Sequence, residues 1–196
     1  MSDAHPTRGD AELLADAFDR AHVSEALGEI TLDVEPADVP AVLARAIDAG
    51  YDFLCDLAAT DHLGFGGAVA GYWSAPAHAV VDQDMNLSGS SGLGSVPRKL
   101  GPRRFAISYQ LLARELEPVR RLRVRTWVED GDPVPSAVQV FPSADYLERE
   151  AFDLMGISFT GHPNLERIFL PEGWDGHPHR KDYPIGGEPV QFSDAV

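Results

Sequence analysis

The residues best suited to chemistry lie late in the chain. Between Gly161 and Pro184 the triplet Gly-His-Pro occurs twice, and His179 follows the second copy among Arg167, Arg180, Lys181, Asp182 and Tyr183. Proline holds His177-Pro178-His179 extended, so the two imidazoles can face one way and His162 can add a third nitrogen, the donor set of an open zinc site in a metal-dependent hydrolase. The scaffold argues against it: a strap broken by prolines, with no H-E-x-x-H helix, fixes coordination geometry poorly. Glu148 and Glu150 suggest a general acid and base, yet residues two apart on a helix point roughly 200° apart and cannot share one substrate. Cys55 falls inside a predicted strand, and no serine occupies a G-x-S-x-G turn, so a nucleophile is not signalled either. The stretch is a metal site, a catalytic loop or a docking strap.

Composition narrows the choice. A chain of 196 residues with 44% hydrophobic content builds one core, with length left for an arm. Its 31 acidic residues against 16 Lys and Arg give a formal charge of -15, which repels nucleic-acid phosphates and anionic lipid alike. A single cysteine excludes an internal disulfide, a thiolate zinc finger and a four-thiolate iron–sulfur cluster within the chain. No apolar run reaches membrane-spanning length, and MSDAHPTRGD lacks the features of a signal peptide, so a cytoplasmic location is expected.

The elements that must position these residues follow from periodicity. Leu13, Leu14, Ala17, Phe18 and Ala21 recur at helical spacing and predict a first helix from Asp10 to Leu27, capped by Asp10. Glu29 to Val34 alternates as a strand. Pro36 opens a second helix with Val39, Val42, Leu43, Ala46 and Ile47 on one stripe and Gly50 past its end. A strand is predicted over Tyr51–Thr60, and two more over Phe105–Leu112 and Leu122–Val128, with a short one over Ser136–Phe141. In the strand at 122–128, Arg121, Arg123, Arg125 and Trp127 share the face opposite the core, facing either solvent or a partner's acidic groups. The region 64–104 is glycine-dense and reads as a flexible insertion. Its Gly64-x-Gly66 and Gly89-x-x-Gly92-x-Gly94 patterns give no phosphate-loop fingerprint. The fold class is therefore α+β: a small mixed sheet with helices on one side, followed by a helix and an extended C-terminal arm. The chain divides at 1–142, the α+β domain, and 143–196, the helix and arm.

The last helix is predicted from Ala144 to Met155, capped by Ser143 and ended by Gly156. Leu147, Ala151 and Leu154 form an apolar arc that Phe152 and Met155 extend, and Glu148 falls inside it. An unpaired buried carboxylate is too costly, so Glu148 is expected to meet a cation supplied by a partner. Beyond it, Ile168, Phe169, Leu170, Trp174 and Tyr183 are spaced along the strap as anchors.

Glu148-Arg149-Glu150 with Asp153, Gly156-Ile157, Phe159-x-Gly161-His162-Pro163-x-Leu165-x-Arg167-Ile168, Leu170-Pro171, Trp174-x-Gly176-His177-Pro178 and Arg180-Lys181-Asp182-Tyr183-Pro184 together resemble the signature of the C subunit of respiratory complex I. The match is dense from Ser136 to Gly187, and departs where the family commonly has Asn-Trp for Asp145-Tyr146 and Leu for His179. The resemblance implies a non-catalytic peripheral-arm subunit of a proton-translocating NADH:quinone oxidoreductase, on the cytoplasmic face of the cell membrane. It implies an arm laid on the neighbouring D subunit, beside other peripheral-arm subunits. It also implies no cofactor in this chain, with iron–sulfur clusters, FMN and quinone on partner subunits. Glu148, Arg149, Glu150, Asp153, His162, Arg167, Trp174, His177, Arg180, Lys181, Asp182 and Tyr183 become candidate docking residues. Arg167, Arg180 and Lys181 suit partner carboxylates, while His162 and His177 suit backbone hydrogen bonds. Related F420H2 dehydrogenases and membrane-bound hydrogenases carry similar subunits and form the alternative. Of the three uses of the strap, docking is the one this pattern favours.

Overall fold

A computed structural model describes residues 6–63 and 103–183. Helix α1 (Pro6–Ala15) leads into strands β1 (His22–Ala26) and β2 (Glu29–Val34), then a short 3-10 turn at Pro36–Asp38 and helix α2 (Val39–Asp48). Strands β3 (Phe53–Asp61), β4 (Phe105–Ala113) and β5 (Arg120–Val128) follow. Strand β6 (Val134–Pro135), helix α3 (Ala144–Met155) and strand β7 (Phe159–Thr160) complete the order. The main sheet runs β1-β2-β5-β4-β3, with β2 and β5 parallel and the other neighbours antiparallel.

All three helices contribute to one apolar cluster. Ala11 and Leu14 of α1, Val39, Val42, Leu43 and Ala46 of α2, and Ala144, Ala151 and Met155 of α3 bury against inward residues of the sheet. Leu122, Val124 and Val128 of β5 face Leu111, Tyr109 and Phe105 of β4 across the ladder. This is the mixed sheet with helices on one side that the alternation requires, and the second face carries the arginines together with the buried pair Ala106 and Trp127.

Two elements differ from expectation. The helix predicted over 10–27 ends at Ala15, and β1 occupies 22–26. Leu27 and Gly28 both have positive φ, 54° and 79°, as a two-residue hairpin turn between β1 and β2 demands. Asp10 does not cap the helix. It lies within α1 and accepts hydrogen bonds from the Tyr51 hydroxyl at 2.8 Å and from Arg120 at 2.9 Å. The strand predicted over Ser136–Phe141 is replaced by β6, which pairs with β7, and by a turn in which the Val140 and Phe141 amides both donate to the Ala137 carbonyl. The insertion expected over 64–104, with its glycine patterns, lies almost wholly outside the described residues, as does the chain from Pro184 onward.

The arginine face finds its acids within the chain. Asp33, fully buried on β2, accepts two bonds from Arg125, at 2.6 and 2.9 Å, and one from the Trp127 indole at 3.0 Å. Arg121 and Arg123 reach Glu29 at 3.7 and 3.9 Å on a more exposed part of the face. Breaking a buried pair leaves its cation uncompensated. Asp33→Ala is expected to cost the isolated chain about 3 kcal/mol, read as a lowered urea midpoint, whereas Glu29→Ala is expected to stay within about 0.5 kcal/mol.

Candidate functional site

Helix α3 ends at Gly156, whose φ of 70° is left-handed. A Cβ there would also stand 2.5 Å from His177 Nε2 and 2.6 Å from Arg180 Nη2, so glycine is needed both for the turn and for the approach of the arm. Ser143 precedes the helix but makes no side-chain cap bond, contrary to the prediction.

The last four carbonyls of a helix lack donors within it. Here the arm supplies them. His177 Nδ1 donates to the Asp153 carbonyl at 2.8 Å, and the His179 amide donates to Leu154 at 3.0 Å. Arg180 Nε donates to Met155 at 2.7 Å and its Nη2 reaches Gly156 at 3.5 Å. A cation at this end of the helix is also favoured by the helix dipole. Because a carbonyl only accepts, the hydrogen of a neutral His177 sits on Nδ1.

Asp153 anchors the arm a second time through its fully buried side chain. Its Oδ2 accepts the consecutive amides of Ile168, Phe169 and Leu170 at 3.0, 2.7 and 3.0 Å, and Oδ1 lies 3.4 Å from Arg167. Burial alone works to raise its pKa, but the three amides and Arg167 outweigh it and hold the carboxyl below the usual range.

Glu148 corrects the expectation of a partner cation. It is fully buried, and its oxygens accept from Ser136 Oγ and the Ala137 amide, both at 2.6 Å. His162 Nε2 stands 4.0 Å away. Burial raises the Glu148 pKa, and the bonds from Ser136 and Ala137 offset part of the rise. The carboxylate ties α3 to the turn after β6 and is closed to any second chain in this conformation.

His162 is likewise enclosed. The Asn164 amide donates to its Nδ1 at 3.0 Å, which fixes the hydrogen on Nε2, and Nε2 faces the Asp145 carbonyl at 3.2 Å. Both ring nitrogens are engaged, so the three-histidine hydrolase loses its ligand set. Among the described residues no group of three His, Cys, Asp or Glu is placed to hold a metal.

The far end of the arm closes on Asp61, Arg104 and Asp130, residues outside every motif. Asp61, at the end of β3, is nearly sealed from solvent and takes two bonds from Arg104, at 3.1 and 2.9 Å. It also accepts the amides of Leu63 at 2.8 Å and Lys181 at 2.9 Å. Arg104 further pairs with Asp182 at 2.9 Å and Asp130 at 3.1 Å, and Arg180 also reaches Asp130, at 3.0 Å. Both guanidiniums stack on Phe105, 4.7 and 5.2 Å from its centroid. Burial opposes ionisation of Asp61, but Arg104 and the two amides bring its pKa down to about 2. The carboxylates expected for Arg167 and Arg180 on a partner are thus met by Asp153 and Asp130 of the same chain. Arg180, Lys181 and Asp182 stand in a motif, but their partners Asp61 and Arg104 are marked in the sequence only by an Asp-His step after one strand and a basic pair before the next.

Other candidate side chains remain outward. Arg149 bonds the Glu166 carbonyl at 3.1 Å and stacks on Tyr146, which is 67% exposed. Glu150 is exposed, as are Lys181 and Asp182. Trp174 is half-buried, with its enclosed Nε1 lacking an acceptor among the described residues. Tyr183 packs where a Cβ on Gly176 would lie 2.9 Å from its ring.

Fold and arm together define a class of small α+β proteins that fasten their own C-terminal strap across the end of the last core helix. The chain belongs to the family described as the respiratory-chain NADH dehydrogenase 30 Kd subunit, which it matches over residues 32–189. It is 41% identical over 172 residues to the NADH-quinone oxidoreductase C subunit of Halorhodospira halophila, covering 82% of this chain and 69% of that one. To the corresponding C subunit of Xanthomonas oryzae pv. oryzae it is 36% identical over 201 residues, covering 92% and 78%. A trypsin-resistant fragment of Nqo5 superposes with a TM-score of 0.56 at 25% identity, covering 80% of this chain and 98% of the fragment. A chain of the membrane-bound sulfane sulfur reductase, an archaeal respiratory membrane complex, gives a TM-score of 0.62 at 14% identity over 92% and 87%, a likeness of fold alone.

Two outcomes follow from this geometry. Asp153→Ala removes the common acceptor of three amides, so tryptic cleavage after Arg167 and Arg180 is expected to accelerate about tenfold or more, with the sheet intact by circular dichroism. Asp61 has a folded pKa below its unfolded one, so its contribution is complete above about pH 4 and is lost as the pH falls through its folded value of about 2. The stability difference between wild type and Asp61→Asn, about 2 kcal/mol at neutral pH, is therefore expected to shrink toward zero in denaturation curves taken from pH 5 to 2.

Proposed function

We propose that this chain is a non-catalytic peripheral-arm subunit of a proton-translocating NADH:quinone oxidoreductase, docked on the D subunit where it supports the quinone-reducing module. The observation that carries the reading is the fastening of the arm. Its grip on α3 and β3 uses mainly backbone groups and inward side chains, which leaves Tyr146, Glu150, Phe169 and part of Trp174 turned outward. Exposed aromatics beside charged groups are the composition of a docking surface rather than of a reaction centre. Asp61, Glu148, Asp153 and both ring nitrogens of His162 are engaged in structural bonds, and electron transfer in this reading belongs to iron–sulfur clusters, FMN and quinone held by partner subunits. The two NADH-quinone oxidoreductase relatives favour NADH as the donor over F420H2 or hydrogen. Among the described residues no helix is long and apolar enough to cross a membrane, so membrane association would come through the assembly, on its cytoplasmic side.

The test is purification of the tagged chain from membranes in mild detergent. Co-elution with the remaining oxidoreductase subunits and NADH:quinone activity is expected, whereas the isolated chain is expected to be colourless, inert and free of stoichiometric metal. Trp174→Ala is expected to reduce the recovered complex about tenfold while surviving copies turn over normally. Full recovery with lost turnover would instead assign a catalytic role.

A further inference from the structure

Strand β3 is an edge of the main sheet, so one side of its backbone has no ladder partner among the described residues. Proteins usually blunt such an edge with lysine, proline or a bulge. The bulge in β3 lies at its beginning, between Leu54 and Asp56. From Asp56 to Asp61 the strand runs in unbroken register with β4, from Asp56 opposite Gln110 to Asp61 opposite Phe105. The segment Asp-Leu-Ala-Ala-Thr over 56–60 contains neither lysine nor proline. Among the described residues this stretch of the edge carries no bulge, lysine or proline and no paired strand.

Helix α3 lies beside this edge and leaves a groove of about 160 Å³ between them. Leu57, Ala59, Ala151 and Leu154 supply apolar lining, and the small side chains at 58 and 59 keep the strand accessible. Two carboxylates, Asp56 on the strand and Glu150 on the helix, flank the groove. Both residues are exposed, and neither forms a salt bridge among the described residues. An acid-flanked apolar groove along a strand edge unpaired among the described residues has the chemistry of strand addition: backbone pairing gives affinity, alternate side chains fill the groove, and a cation satisfies the acids. A second copy of this chain is a poor occupant, because it would bring another -15 of formal charge and set carboxylate against carboxylate.

We propose that the outer edge of β3 from Asp56 to Thr60, with the groove against α3, receives an extended Lys- or Arg-bearing segment of a neighbouring subunit as a sixth strand of the sheet. The proposal rests on the reading of this chain as part of an assembly and specifies where and how one partner engages it.

Hydrogen exchange followed by mass spectrometry on the tagged complex and on the isolated full chain tests it. In the isolated chain the outward amides of 56–60 are expected to exchange freely; in the complex they are expected to slow about a hundredfold. The double variant Asp56→Lys with Glu150→Lys is expected to melt normally as a free chain and to lower recovery of the complex about tenfold or more. An edge equally exposed in both states, one already protected in the isolated chain, or full recovery of the double variant would overturn the docking site while leaving co-purification, and hence membership of the complex, intact. Failure of the wild-type chain to co-purify would overturn both. Protection appearing in concentrated isolated chain would assign the edge to a second copy and overturn the basic-partner proposal.

Discussion

A helix that ends against other chain leaves four carbonyl oxygens without donors, and the rest of this molecule's C-terminal half is arranged around that requirement. The carbonyls of Asp153 to Gly156 are met by His177, His179 and Arg180. The strap must therefore reverse direction after β7, cross the helix at 168–170, and return to its end. Gly156 opens the space for that return, and Asp153 holds the crossing point. The His177 ring, the His179 amide and the Arg180 guanidinium together cap the helix.

Four carboxylates organise the fold of a chain that carries a large excess of acid. Asp33, Asp61, Glu148 and Asp153 are all at most 3% exposed, and each joins segments far apart in sequence. Asp33 binds β2 to β5, Asp61 binds β3 to Arg104 and the arm, Glu148 binds α3 to the turn at 136–137, and Asp153 binds α3 to 167–170. Burial opposes ionisation of Asp61, Glu148 and Asp153, and hydrogen bonding decides the outcome. Where amides and guanidinium converge, as at Asp61 and Asp153, the ionised form is favoured; at Glu148, with only a hydroxyl and one amide, burial prevails. The acids thus divide into a few that specify contacts and many that keep the surface hydrated.

Much of the fold was legible because alternation and helical spacing report burial directly. β4, β5, α2 and α3 lie where Tyr109, Val124, Leu43 and Ala151 point inward. The same signal misled at 10–27: Phe18 and Ala21 do pack on the core, but from a succession of turns in which Phe18 donates to Ala15 and Ala21 to Phe18. Ala137 and Phe141 misled in the same way, being buried from a turn rather than a strand. Ionic partners were the least legible. A wheel places Glu148 inside, but whether Ser136 or a foreign cation meets it depends on a turn whose geometry leaves no periodic trace. The Asp61–Arg104 junction pairs residues separated by the whole of the 64–102 segment, and nothing local marks them as partners.

The strap's hold on the domain is written largely in main-chain atoms: the amides of 168–170, 179 and 181, and the carbonyls of 153–156. Such a hold is indifferent to the identity of the side chains that point the other way. Positions like Phe169 and Glu172 are free to drift without loosening the strap. The outward surface can therefore coevolve with a changing neighbour while the domain beneath it stays the same, separating the inheritance of a fold from the inheritance of its associations.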